Sequence, residues 1–250
     1  MYQFFVEDNQ IFDNHIKIVG NDVNHIKNVL RMKITEKIRI SNQQGKDFLC
    51  AIKEIQENYV LADILIENID STELLEKIYL FVGLVKGEKM ELIIQKAVEL
   101  GVYEIIPVEM RYSVVKLDDK KAIQKTKRWQ IIAESAAKQS KRSVIPQIKE
   151  PMRFATAIEY AKCCDVSVVP YESAFGMRDT LSTLKKIQKG NNVSIFIGPE
   201  GGFSDEEIAL VKQNNMSVIS LGSRILRAET AAITATSMLM LHFEILHALD

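Results

Sequence analysis

The chain has 250 residues, of which 47% are hydrophobic and 26% charged, with a formal net charge of -1. That length carries one large domain or two smaller ones, with a core that needs no metal or disulfide staple. The near-neutral total hides a local asymmetry, because residues 116–142 hold nine Lys or Arg against three acids, and the distribution of charge says more about partners than its sum.

The amino terminus lacks the basic start and apolar core of a signal peptide. The first ~70 residues read as β-rich. Lys37, Ile38, Arg39 and Ile40 alternate with period two, and strands over 48–55 and 59–66 follow, with turn chemistry at 42–46 and 57–58. Between strands, residues 22–32 have helical spacing, with Val23, Ile26, Val29 and Leu30 on one face. Short strands and one small helix predict a compact barrel-like domain over 1–70, with 70–73 as the connection.

Over 71–250 the rhythm changes to strand–helix alternation, which predicts a mostly parallel sheet covered on both faces. An apolar strand over 78–85 leads to a helix from about Glu88, whose inner face is Met90, Ile93, Ile94 and Ala97 and whose end is Gly101. The next strand, 103–108, is expected to end around Pro107, and a long helix covers 118–140. Within it Trp129 reads as core, given Ile131 and Ile132 beside it. Later strands are expected over 166–169, 193–197 and 217–221. Cys50, Cys163 and Cys164 are neither a disulfide framework nor a spaced metal clamp, and reduced, mostly packed thiols fit a cytoplasmic protein. Residues 231–249 approach membrane-span length, but Thr234, Thr236, Ser237, His242, Glu244 and His247 favour a buried helix. No membrane partner is expected.

Strand 193–197 runs into the loop Gly198, Pro199, Glu200, Gly201, Gly202, Phe203, Ser204. Ser204 and Glu207 form a capping-box pattern, and Phe203 with Ile208 a hydrophobic staple, so the helix start is fixed and the turn falls within 198–202. Gly201 and Gly202 permit positive φ and close approach of a ligand. The phosphate pattern GxxxxGK[ST] and the dinucleotide pattern GxGxxG are both missing, and no Lys or Arg occurs over 198–210. With Glu200 in place, the loop suits a neutral adenosine or a cation better than a phosphate; a tight turn with an exposed acid fits its spacing equally well. After 217–221 comes a second loop, in which Arg224 and Arg227 flank Ile225 and Leu226. Loops at the carboxyl ends of parallel strands bind ligands. Apolar residues there are costly unless they cover something such as an adenine ring, although both arginines could simply pin the loop through Glu229 or Glu200.

IGPEGGFSDEE and LGSRILRAETA, with KGEKMELIIQKAVELGV, RWQIIAESAAKQSKR and the weaker NHIKNVLR, resemble the signature of the RsmE family. That family methylates N3 of a uridine in small-subunit (16S) ribosomal RNA. The resemblance implies a SPOUT-class α/β fold with a carboxyl-terminal trefoil knot, a PUA-like RNA-binding barrel over 1–70, a methyltransferase domain over 71–250, and a cytoplasmic homodimer. It implies S-adenosylmethionine held by Val169, Pro170, Tyr171 and Glu172, by Ile197, Gly198, Pro199, Glu200, Gly201 and Gly202, and by Leu221, Gly222, Ile225, Leu226 and Arg227. Ribosomal RNA, free or in the assembled small subunit, is the implied partner, with Arg31, Arg111, Lys127, Arg128, Gln139 and Arg142 as its contacts. The chain departs from the family pattern at Gln3 and at Asn24–His25, and at Tyr112, where a basic residue is expected.

The sulfonium donor is intrinsically electrophilic, and no metal-ligand spacing is present, so no metal is expected. The enzyme's contribution is then mainly alignment of the uracil nitrogen with the methyl group. That nitrogen must ionise, and Arg224 or Arg227 is assigned the developing anion, with Glu200 as orienter or proton acceptor. Lys120, Lys121, Lys125, Lys127, Arg128, Lys138, Lys141 and Arg142 read as phosphate contacts or as a solvated helix face. His15, His25, His242 and His247 are dispersed, and none stands out as a catalytic base. Two other readings stay open: a transfer RNA base methyltransferase of the same fold, separable by its substrate, and a non-catalytic RNA-binding assembly protein, separable by its failure to bind S-adenosylmethionine.

Overall fold

The computed structural model describes residues 1–69, 71–174 and 176–249, and the chain divides into two units. Unit 1 is Met1–Glu73 with Ala137–Ile145; unit 2 is Leu74–Ala136 with Pro146–Asp250. Asp70, first residue of the expected connection, lies outside the described residues.

Unit 1 is built on β1 (Tyr2–Phe5), β2 (His15–Val19), β3 (Lys37–Ser41), β4 (Asp47–Ile55) and β5 (Tyr59–Glu67), in the sheet order β1-β3-β4-β5-β2. Only β1–β3 is parallel. Alternation puts Ile16, Ile18, Ile38, Ile40, Ile52 and Val60 on one curled face around a single apolar core. The helical stretch after β2 differs from the expectation. A short α1 (Asn21–Asn24) passes into a π-turn over His25–Val29, closed by Leu30 N–H donating to the His25 carbonyl at 2.8 Å. That wider turn keeps Val23 and Ile26 inside but carries Val29 out, 64% exposed.

A buried ionic network also belongs to unit 1. The Arg39 guanidinium lies 2.5 Å from Asp47, and the Ser143 hydroxyl donates to the same carboxylate. Arg142 forms a bidentate pair with Glu73, and its carbonyl accepts from buried Gln3.

Unit 2 carries β6 (Ile78–Gly83), β7 (Glu104–Glu109), β8 (Gln147–Ile148), β9 (Met152–Arg153), β10 (Val166–Pro170), β11 (Val193–Ile197) and β12 (Ser217–Ile219). All pair in parallel in the order β12-β10-β11-β6-β7-β8, with β9 also on β7. Phe81 and Phe196, opposite each other on β6 and β11, stack at 4.3 Å and 3°. Pro107 does not end β7. It sits mid-strand, between the residues paired to β8 (104–105) and those paired to β9 (108–109). Without an N–H it falls where the outer edge has no continuous partner.

The helices are α2 (Lys89–Glu99), α3 (Asp119–Ser140), α4 (Phe154–Tyr160), α5 (Arg178–Lys186), α6 (Asp205–Gln213) and α7 (Ala228–Ala248). Gly101, at φ +87°, ends α2 in a Schellman motif, with Val102 N–H on the Ala97 carbonyl and Gly101 N–H on that of Val98. Trp129 of α3 is buried. The expectation of a buried final helix is corrected to burial of one face. α7 is long and apolar enough to cross a membrane, yet it buries one face through Ala232, Ala235, Thr236, Leu239 and Phe243 and leaves Leu241 and Ile245, with Leu249 just past its end, more than half exposed.

Candidate functional site

The carboxyl ends of β10, β11 and β12, three adjacent parallel strands, open into one cleft of about 1060 Å³. Pro170, Tyr171 and Glu172 leave β10 into it; Ile197 to Phe203 leave β11; Ser220 to Arg227 leave β12. Fourteen of the fifteen residues expected at a bound cofactor line it. Val169 does not. It is fully buried in the apolar core of unit 2, because period-two alternation points it to the opposite face from a cleft-lining neighbour.

The middle loop is fixed by short-range chemistry. Glu207 N–H donates to the Ser204 hydroxyl at 3.3 Å, and Ser204 N–H donates to Glu207 Oε2 at 2.8 Å. Phe203 and Ile208 are both buried in one cluster, completing the staple. The other oxygen of Glu207 accepts Arg111 N–H at 2.8 Å, which ties the loop after β7 to the start of α6.

The glycines make room mainly for protein atoms. Only Gly202 has positive φ in this loop, +71°, and a Cβ there would sit 2.6 Å from the Glu172 carboxylate. Gly201 adopts ordinary φ, and its bare face accepts Tyr112, whose Cβ would lie 2.7 Å from an added methyl. On the neighbouring strand a Cβ at Gly83 would meet Pro199 at 2.6 Å. Close packing of loop on loop is therefore what these glycines permit, where the sequence suggested access for a ligand.

Glu200 takes part in a contact that the sequence did not reveal. Lys89, at the start of α2, reaches its carboxylate at 2.9 Å, and Lys86 N–H donates to the same oxygen at 3.1 Å. Burial would raise the pKa of Glu200, but the bonds from Lys89 and Lys86 outweigh it and hold the group below the usual carboxylate range. Glu200 is thus ionised at neutral pH and a weak proton acceptor. Arg224 and Arg227 both line the cleft, are exposed, and form no ion pair with Glu200 or Glu229 among the described residues, so a loop merely pinned by those pairs is not what is observed. Ile225 is 88% exposed at the rim.

The expected RNA contacts divide. Arg31, Arg111, Lys127 and Gln139 are exposed. Arg128 is exposed but meets Glu91 at 2.8 Å, Lys138 meets Asp22 at 2.9 Å, and Lys121 meets Asp118 at 3.0 Å. Arg142 is a correction: its side chain is only 5% exposed and is committed to Glu73, so it serves the interior of unit 1.

The model of an RNA methyltransferase domain matches residues 72–240, and that of an RNA methyltransferase PUA domain matches 18–65. Ribosomal RNA small subunit methyltransferase E of Bacillus subtilis is 37% identical over 232 residues, covering 92% of this chain and 91% of the relative. The chain belongs to the ribosomal RNA small subunit methyltransferase E family. A family member from Neisseria gonorrhoeae, crystallised with S-adenosylmethionine, superposes with a TM-score of 0.83 at 27% identity, covering 96% of this chain and 97% of that one. A Legionella pneumophila protein solved as a methyltransferase with bound S-adenosylmethionine gives the same TM-score at 30% identity and the same coverage. The family's fold is thus a parallel α/β sheet unit with a PUA-like amino-terminal sheet, as the sequence implied.

Proposed function

We propose that this chain transfers the methyl group of S-adenosylmethionine to N3 of a uridine in small-subunit (16S) ribosomal RNA. The observation that carries the reading is the cleft itself: three loops at the ends of adjacent parallel strands, with Glu172 and Glu200 on the loops after β10 and β11, the α2 lysine already paired to Glu200, and the arginines Arg224 and Arg227 on the loop after β12. The acidic side of such a lining suits a cationic adenosine derivative, and the arginine side suits an acceptor that develops negative charge. The donor supplies an electrophilic methyl when bound.

The chain's residues do the rest. Pro170, Tyr171, Gly198, Pro199, Leu221 and Leu226 form the walls that would hold the adenosine and exclude water. Glu172 and Glu200 orient the cationic portion. Arg224 and Arg227 stabilise negative charge on the uracil carbonyls as the N3 proton leaves, which lowers the barrier for attack. The new N3–methyl bond replaces the sulfur–methyl bond, and the proton passes to solvent.

In this reading unit 1 supplies PUA-like RNA contacts, and unit 2 supplies a methyltransferase domain with a carboxyl-terminal trefoil knot. Leu241 and Ile245 on the exposed face of α7, with Leu249 just past its end, support a homodimer, which sedimentation would test. A ribosomal substrate places the protein in the cytoplasm, and the proposed chemistry needs no metal. The decisive experiment incubates purified protein with labelled donor and small ribosomal subunits from cells lacking it. Appearance of 3-methyluridine on nucleoside mass spectrometry is expected; no donor binding by calorimetry, or methyl only on transfer RNA, overturns the proposal.

A further inference from the structure

An exposed aromatic ring is set on an ordered mount at the rim of the cleft. Tyr112 is 50% exposed, and among the described residues its ring pairs with no other ring and its hydroxyl hydrogen-bonds to none. Its backbone is nevertheless fixed on both sides. Arg111 N–H is held by Glu207, Ser113 N–H donates to the Met110 carbonyl at 3.1 Å, and Met110 N–H donates to the buried Ser113 hydroxyl at 3.3 Å. Below the ring, Tyr112 Cβ rests on the bare face of Gly201, a residue that lines the cleft.

Leaving an aromatic face in water wastes its large apolar area, and here the loop spends three hydrogen bonds on keeping it in place. Beside it Arg111 offers an exposed cation and Val114 an apolar surface that is 59% exposed. A ring and a cation on one loop, packed against a cleft wall on the next, match what an unstacked nucleotide needs: a π-face for the base and a charge for its phosphate.

We propose that Tyr112 is the stacking platform that receives the acceptor base at the mouth of the cleft, making it a positioning residue for substrate. This rests on the methyl-transfer reading above. The test compares Tyr112→Leu, which keeps apolar packing on Gly201 but loses the π-face, with Tyr112→Phe, which keeps the ring. Affinity for small-subunit ribosomal RNA, kcat/KM for transfer, donor affinity by calorimetry and thermal stability are read for each.

Tyr112→Leu is expected to lose roughly tenfold in RNA affinity and in kcat/KM, the scale of one base–aromatic stack, with donor affinity and melting unchanged, and Tyr112→Phe to restore the loss. Full RNA affinity in Tyr112→Leu overturns the proposal. So does a matching loss in Tyr112→Phe, which would assign the effect to the hydroxyl, or a parallel fall in donor affinity, which would make Tyr112 a support for Gly201. RNA affinity needs no turnover, so a wild-type protein that binds RNA without methylating it would sink the activity and leave this comparison readable.

Discussion

The cleft loops and the basic stretch on α3 differ in how far away their partners lie. Around the cleft, Ser204 finds its partner three residues on, and the chain direction is settled within one turn of helix. On α3, Arg128 is answered by Glu91 and Lys138 by Asp22, and beyond its end Arg142 is answered by Glu73. A capping box is thus a complete instruction. A run of lysines and arginines is half of one, since acids elsewhere in the chain decide how much charge is left for a partner.

The largest effect that could break this contrast is at the arginines of the cleft. Arg224→Ala is expected to lower turnover about a hundredfold, the cost of removing one donor to a developing anion, with donor affinity kept. Arg227→Ala should lower both. Single-turnover methyl incorporation and calorimetry separate the two, and full turnover in both variants would make these cations as inert as the paired ones on α3.

Next comes the local frame. Glu207→Ala strands the N–H groups of Ser204 and Arg111 and should cost about 2 kcal/mol in denaturant unfolding, while Ser204→Ala, losing the cap alone, should cost about 1 kcal/mol. Equal effects would mean that the bond to Arg111 contributes nothing.

A smaller change should follow pH. Glu200 is held below its ordinary range, so its charge and its pairing with Lys89 are fully present above the usual carboxylate pKa and are lost as pH falls through the depressed value. Donor affinity is therefore expected to be flat from neutral pH down to the ordinary carboxylate region and to fall below it, whereas Glu200→Gln should be weaker at neutral pH and show a smaller fall. Smallest of all, Lys127→Ala should reduce the slope of log affinity for RNA against log salt by somewhat under one unit, and Lys138→Ala should leave that slope unchanged. Equal slopes would erase the distinction between free and answered charges.

Most of the fold was legible because its signals are short-ranged. Period-two alternation marked β3 to β5, Gly101 marked the end of α2, and Ser204 with Glu207 marked the start of α6. The cleft loops after β11 and β12 were legible through their position, whereas Pro170, Tyr171 and Glu172 were expected only through the family resemblance, along with Val169, which alternation turns inward. Lys89 was missed because its partner Glu200 lies 111 residues away, and no local pattern announces such a pair. The return of residues 137–145 to unit 1 was hidden for the same reason: Ser41, Asp47 and Glu73, which bind Ser143 and Arg142, are far away in sequence. Pro107 misled because its missing donor matters only once the neighbouring strands are known.

Gly83 and Pro199 leave each other no space for even a methyl group. Replacing the proline alone would not open that space, because the backbone nitrogen of residue 199 stands at the same 2.6 Å as its ring. Evolution is therefore expected to hold position 83 to glycine even where residue 199 varies, unless the whole turn that bears Glu200 moves, a constraint that sequences gathered from distant lineages can check without purifying a single protein.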